Sequence, residues 1–140
     1  MRSKRDSGTA LFLMEMIAVV CFFILCASVC ILVFVRANNL SRLAKDTNYA
    51  SLAAESVAET WKAEDTKGLE TRLLMWEDGE TGVICWDARW NPVENRDEAV
   101  YEARIDLAGD ELVKEVQINI RRLEDDKELF ELTAKKILRQ

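Results

Sequence analysis

Hydrophobic and polar positions divide the chain into three patterns, and the first is an uninterrupted apolar run. Residues 16–35 contain no charged side chain, and only Ser28 and three cysteines interrupt the bulkier hydrophobic residues and alanines. At 1.5 Å of rise per residue, twenty residues form about 30 Å of helix, which matches the hydrocarbon core of a bilayer. A secretory signal has a shorter apolar region followed by a small-residue cleavage site, whereas VFVRANNL follows here. The pattern predicts a transmembrane helix over residues 9–35.

The second pattern is a stripe of apolar or small residues with helical spacing. It consists of Leu40, Leu43, Thr47, Ala50, Ala54, Val57 and Trp61, and polar side chains occupy the opposite face. No Pro or Gly occurs from residue 9 to residue 67. We therefore expect one continuous helix from Thr9 to Ala63, with residues 36–66 as its amphipathic half and a break at Gly68. The small residues of this stripe allow another element to approach the helix closely, which suits packing of the helix beneath a sheet.

The third pattern changes from helical spacing to period two. Residues 69–76 are predicted to form a short second helix, GVICWD a strand, and the Asn91-Pro92 segment a turn. Three later segments then alternate between apolar and polar residues, as strands with one solvated face do. Their predicted inward set is Tyr101, Ala103, Ile105, Val116, Ile118, Ile120, Phe130, Leu132 and Ala134.

These patterns combine into an α+β fold. The polar connections AGDE and EDDK are short, so the last three strands are expected to form an antiparallel meander. So few strands are unstable unless another element covers their apolar face, and the amphipathic half of the helix is available to do so. The predicted parts are a basic leader (residues 1–8), a transmembrane helix (9–35), its amphipathic continuation (36–66), and a short helix with an antiparallel sheet (67–140).

Composition narrows the chemistry that this chain can perform. Beyond Arg36 there are fifteen Lys and Arg against twenty-three Asp and Glu, a net charge of −8, which argues against direct binding of nucleic acid. The chain has no histidine and no nucleotide-binding, zinc or nucleophile motif. We expect no enzymatic activity, no cofactor and no metal centre. The acidic turn at residues 124–126 is either a weak calcium site or, more simply, a solvated loop.

Cysteine and tryptophan suggest structural roles. Cys21, Cys26 and Cys30 lie in the apolar run and Cys85 stands alone outside it, so the C-terminal part is expected to form no internal disulfide. The four tryptophans are expected to supply core area. Trp90 is the exception, because it lies in the predicted turn and is expected to be partly exposed and able to contact a partner.

Glu15 is the one charged residue in the predicted transmembrane helix. An acid at the centre of a span costs about 2.5–3.5 kcal/mol on insertion scales, and near its end the cost is lower. Three explanations compete. The side chain snorkels to the interface, it benefits from the positive end of the helix dipole, or it pairs with a cation on a neighbouring subunit.

The basic leader, the apolar helix with an early Glu and the amphipathic continuation together resemble type IV pilins and type II secretion pseudopilins. The segment YASLAAESVAETW is similar to the second half of the long helix in minor pseudopilins. The ending from YEARIDL onward is similar to their C-terminal meander. In that family a peptidase removes the leader, and a glutamate four residues after the new N-terminus pairs with the terminal amine of an adjacent subunit. The matching bond here is Ala10–Leu11, with Glu15 as the assembly residue. The family expects Gly at the position of Ala10, so cleavage at Gly8–Thr9 and a retained leader remain alternatives.

The resemblance implies a non-enzymatic, minor pilin-like subunit that assembles into or primes a pilus or pseudopilus fibre. Its implied partners are other pilin-like subunits, an inner-membrane assembly platform, membrane lipid and, if the leader is processed, a prepilin peptidase. Basic residues flank the span almost equally on both sides, and the short N-terminal tail favours a cytoplasmic N-terminus with an extracytoplasmic C-terminal domain. The alternative is a bitopic anchored sensor or scaffold module that does not assemble.

Overall fold

The computed structural model describes residues 3–110 and 112–138, with side chains from Ser7 onward. The predicted basic leader therefore lies only partly within the described residues, and Arg2 lies outside them. The chain forms two compact units, Met1–Arg42 and Leu43–Gln140. Each unit is described below by itself.

The secondary structure is one helix followed by a sheet, which confirms the α+β class. The elements are α1 (Ser3–Leu73), β1 (Trp76–Asp78), β2 (Thr81–Trp86), β3 (Pro92–Val93), a 3₁₀ turn (Arg96–Glu98), β4 (Tyr101–Gly109), β5 (Val113–Arg122) and β6 (Lys127–Ile137). The six strands form an antiparallel sheet in the order β1-β2-β4-β5-β6, and β3 pairs with β2. The predicted meander of the last three strands is present.

Helix α1 confirms the expected continuity from Thr9 to Ala63, but its break lies elsewhere than predicted. The non-helical residue inside α1 is Asp65, with φ 57° and ψ −154°. Gly68, the predicted breaker, is helical, and a Cβ there would lie 2.6 Å from Cβ of Glu64. Gly68 therefore provides space for the turn at Asp65 to fold back. The predicted second helix is the last part of α1, and Trp76 begins β1.

Residues 43–73 of α1 pack on the sheet through their small residues. Ala50, Ala54, Val57 and Trp61 are buried in one core with the inward side chains of the strands. Seven of the nine predicted inward residues are buried there, and Phe130 and Leu132 are partly buried against it. The predicted face of the sheet is therefore correct. Alanine at the contact allows the helix backbone to approach the strands closely.

Three details of this core differ from the prediction. A register shift between Ile120 and Arg121 leaves Leu129 as an extra residue in β6, and its side chain is buried. Val83–Trp86 is buried at every position, so β2 is covered on both faces, which was not part of the prediction for this strand. The polar residue Asp46 occupies a buried position one turn before Ala50, whereas Leu40, which was expected in the stripe, is 67% exposed.

The N-terminal unit is helical and carries a long apolar surface. Among the described residues, α1 is the one helix long and apolar enough to cross a membrane, and none of its apolar window is buried. Bulky side chains are exposed all along residues 11–35. This is consistent with a single-pass membrane protein, because such a surface is stable in lipid and unstable in water.

Candidate assembly surfaces

Glu15 lies on the exposed surface of α1 among apolar neighbours. Leu11 and Ala18 share its face at helical spacing, and Gly8 and Phe12 line the same shallow depression. No hydrogen bond or ion pair joins the Glu15 side chain to another residue in the part of the chain described, residues 3–110 and 112–138. Its carboxylate therefore has its hydrogen-bonding capacity open to a group from outside the chain.

Both candidate leader bonds lie within α1. The residues of Ala10–Leu11 and of Gly8–Thr9 are helical and exposed. A Cβ added at Gly8 would meet nothing within 4 Å, so helix packing does not require glycine at that position. Either bond is accessible from the helix surface, and cleavage of either requires the local helix to open.

Asp46 forms a polar link between α1 and the sheet that the sequence patterns did not predict. Asp46 is buried, with 6% of the residue exposed. The Arg122 guanidinium donates from Nη1 to Asp46 Oδ2 at 2.6 Å, and the Tyr101 hydroxyl donates to Oδ1 at 3.0 Å. Arg122 also donates to both carboxylate oxygens of Asp125, at 2.9 and 2.6 Å. Each buried charge is thus paired and hydrogen-bonded, which low-dielectric surroundings require.

The charges of this link reinforce one another. Hydrogen bonds from Arg122 lower the pKa of Asp125 to about 2. The same bonds to Asp125, with those to Asp46, raise the pKa of Arg122. Both groups are therefore charged above about pH 4, where the link is an ion-pair network.

A second charged cluster lies on the outer face of the sheet, around Glu102. This side chain is 1% exposed, and Arg121 Nη2 lies 2.7 Å and Arg104 Nε 3.4 Å from its Oε1. Arg96 Nε lies 2.9 Å from Oε2, but Oε2 accepts no aligned hydrogen bond, so this contact is electrostatic. Burial and the neighbouring Glu102 charge raise the pKa of the Cys85 thiol to about 11. Cys85 is therefore a buried, unreactive thiol.

Trp90 lies in an aromatic cluster at the edge of the helix–sheet contact. Its ring stacks on Tyr101, with centroids 3.9 Å apart, and lies 6.1 Å from Tyr49 and 5.9 Å from Trp86. Its φ of 64° is unusual for a bulky residue, and Asp87 holds the loop by accepting from the backbone N–H groups that flank it. Trp90 is partly exposed, as predicted.

The acidic turn at residues 124–126 has its aspartates already engaged. Asp125 pairs with Arg122, and Asp126 Oδ1 lies 2.8 Å from Arg121 Nη1. Within residues 3–110 and 112–138, no group of three or more His, Cys, Asp or Glu is arranged to hold a metal ion. A calcium ion at this turn would have to displace two arginines.

The residues that the sequence predicts for assembly and leader cleavage lie close together in the structure. Glu15, Ala10 and Leu11 share one helical segment, and Cys21, Cys26 and Cys30 are exposed on the same helix. Asp46 and Glu102 were missed. Asp46 lies at the spacing of the apolar stripe, which is a usable signal, whereas Glu102 occupies an ordinary polar position of its strand. No family model, no curated protein and no solved structure matches this chain.

Proposed function

We propose that this chain is a pilin-like, single-pass membrane subunit that joins or primes a type IV pilus or type II secretion-type pseudopilus fibre. The observation that carries the proposal is Glu15, a carboxylate with no partner among the described residues on an otherwise apolar, lipid-compatible helix. A residue so costly to bury is retained in membranes mainly where it pairs or functions.

The proposed step is lateral helix association within the membrane. Hydrolysis of the Ala10–Leu11 bond creates a positively charged amine on Leu11. The Glu15 carboxylate of an adjacent subunit forms an ion pair with this amine. The low dielectric strengthens this ion pair, although desolvation of both charges offsets part of the gain. The pair therefore sets the register between subunits more than it adds raw stability.

The C-terminal unit supports a role outside the membrane. Its packed core, Asp46–Arg122 link and Glu102 cluster give it a stable fold with an acidic surface. The proposed topology places the N-terminus in the cytoplasm and this unit outside it. The proposed partners are other pilin-like subunits, an inner-membrane assembly platform, lipid and a prepilin peptidase.

Crosslinking in native membranes tests the role of Glu15. Cys21, Cys26 and Cys30 are exposed on the helix and Cys85 is buried, so oxidation of the intact chain reports contacts between membrane helices only. We expect Glu15→Gln to insert normally, to reach wild-type abundance and to lose most of the disulfide-linked species. The matched control is Glu15→Asp, which keeps the charge and should retain crosslinking. Equal crosslinking of wild type and Glu15→Gln would contradict the proposal.

The mass of the membrane-extracted protein separates the proposal from its alternative. Loss of residues 1–10 supports a processed subunit, and loss of residues 1–8 supports processing after Gly8. An intact chain supports the alternative, a bitopic anchored sensor or scaffold. Ala10 is an observation in favour of that alternative, because the family expects Gly at this position.

A further inference from the structure

We propose that the C-terminal unit binds a second copy of this chain through antiparallel pairing of β6 with β6, centred on Thr133. The contact extends the sheet of one copy into that of the other. It goes beyond the proposed helix association and does not depend on Glu15, on leader cleavage or on membership of a fibre.

The open edge of the sheet provides the surface. β6 spans Lys127–Ile137 and pairs with β5, and it is the terminal strand in the order of the described strands. Its free side therefore presents a row of backbone N–H and C=O groups. Glu131, Thr133 and Lys135 are exposed on the outer face, where β6 is not covered by α1.

The charges along β6 identify a second copy as the occupant. The segment ELTAK carries Glu131 and Lys135 two residues before and two residues after Thr133. In an antiparallel pair centred on Thr133, Glu131 of each copy lies directly opposite Lys135 of the other. Opposite charges and paired threonines are favourable cross-strand neighbours. On the inner side Leu132 then faces Ala134, and Phe130 lies opposite Lys136.

The same charges discriminate against other registers. An antiparallel pair centred on Lys135 places the Lys135 residues of the two copies opposite each other. A parallel, in-register pair places every residue opposite its own copy, so that Lys135 meets Lys135, Lys136 meets Lys136 and Glu131 meets Glu131. Like charges directly opposite destabilise a strand pair. Lysines on an edge strand usually prevent association, but the pair centred on Thr133 places no two lysines opposite each other and sets Lys135 opposite Glu131.

Existing contacts of these side chains are compatible with the pairing. Glu131 accepts from Gln117, and Lys135 Nζ lies 3.0 Å from Glu115 Oε2, both on the outer face of the same copy. Lys135 remains 65% exposed and can approach a second carboxylate. A short edge contact is weak by itself, but anchoring both copies in one membrane raises their effective concentration.

Engineered cysteines test the register in the full-length chain. The background replaces Cys21, Cys26 and Cys30 with alanine and keeps the buried Cys85. In native membranes under mild oxidation, Thr133→Cys should form a disulfide-linked dimer, because directly opposed residues lie within the Cα separation that a disulfide spans. Glu131→Cys alone should not, because two copies of residue 131 lie about 14 Å apart, four residues along the strand. Co-expressed Glu131→Cys and Lys135→Cys chains should form the mixed dimer.

Charge reversal tests the cause independently in the Thr133→Cys chain. Glu131→Lys or Lys135→Glu alone should lower the dimer yield about fivefold or more, because each puts like charges opposite each other at two places. The double variant, Glu131→Lys with Lys135→Glu, should restore it. Absence of the Thr133→Cys dimer, a Glu131→Cys dimer, or failure of the double variant to restore the yield while the unit remains protease-resistant would overturn the proposal.

Discussion

The two parts of helix α1 share one backbone conformation and differ in what surrounds them. Residues 9–35 carry large apolar side chains on every face, and all of them are exposed. Residues 43–73 have a narrow stripe of mostly small residues whose members from Ala50 to Trp61 are buried against the sheet, and the remaining faces are largely polar. The first part is suited to lipid or to other helices, and the second to the protein's own core.

Each part also contains an acid at an apolar position. Asp46 is buried and satisfied by Arg122 and Tyr101 of the same chain, whereas Glu15 has no partner within the described residues. A buried charge requires a partner, and the chain provides one for Asp46. The difference indicates that the chain itself satisfies the charge of Asp46, and it is the basis for assigning the partner of Glu15 to a second molecule.

The largest expected effect is on the sheet that covers the second part of α1. Ile118→Asp puts an unpaired charge into the core, at a cost of several kcal/mol, and should unfold residues 43–140. Limited proteolysis of the membrane-inserted protein should then degrade the sheet and spare the apolar helix. Asn119→Asp, on the outer face opposite Arg104, is the matched control and should remain resistant. Retained resistance of Ile118→Asp would contradict the packing described.

The next largest effect is expected when Asp46 and Glu15 are substituted and the stability of the two variants is compared. Asp46→Ala leaves the partly buried Arg122 with Asp125 alone and should lower the free energy of unfolding of the C-terminal unit by about 2–4 kcal/mol. Glu15→Gln should leave that free energy unchanged. Asp125→Ala removes the more exposed partner, which water screens, and should lower the free energy of unfolding by clearly less than Asp46→Ala does. Denaturant unfolding followed by tryptophan fluorescence measures all three, and equal losses for Asp46→Ala and Asp125→Ala would remove the distinction between them.

A smaller effect tests the small-residue stripe. Ala54→Leu overfills the contact between helix and sheet and should cost about 1–3 kcal/mol. Ala18→Leu makes the same change in the exposed part of the helix and should not alter the unfolding of the C-terminal unit. The same fluorescence measurement applies to both. A stable Ala54→Leu variant would mean that the helix can move away from the strands at little cost.

The smallest effect is the response to acid. The pKa of Asp125 is lowered from 3.8 to about 2 by Arg122, and that of Asp65 is lowered by a hydrogen bond from Lys136. Because these pKa values are lower in the folded protein, their contribution is fully present above pH 4 and is lost as the pH falls towards 2. The denaturation midpoint should therefore decrease over that range, and the decrease should be smaller in Asp125→Asn. An unchanged slope in that variant would contradict the assignment.

Local pattern was sufficient for the helix, the meander and the identity of the inward residues. Period two in β4, β5 and β6 identifies the buried face, and the absence of Gly and Pro identifies the continuous helix. Local pattern was insufficient to locate the break in helix α1. The sequence predicts the break at Gly68, whereas the non-helical residue is Asp65. At that turn Asp65 accepts a hydrogen bond from Lys136, 71 residues away, at 2.8 Å, a contact that local pattern does not contain. It also missed Leu129, since a bulge shifts the alternation by one residue.

By itself the sequence determined the apolar span, the acid within it, the α+β class and the face of each strand that is buried. These properties depend on residue type and on spacing over a few positions, which the chain contains locally. Tertiary structure decided which acids are buried and with which partners, as for Asp46 and Arg122, 76 residues apart. It also decided the stacking of Trp90 on Tyr101 and the open edge at β6. Such contacts depend on the relative positions of distant segments, because a partner for a buried charge can come from any strand that the fold brings beside it.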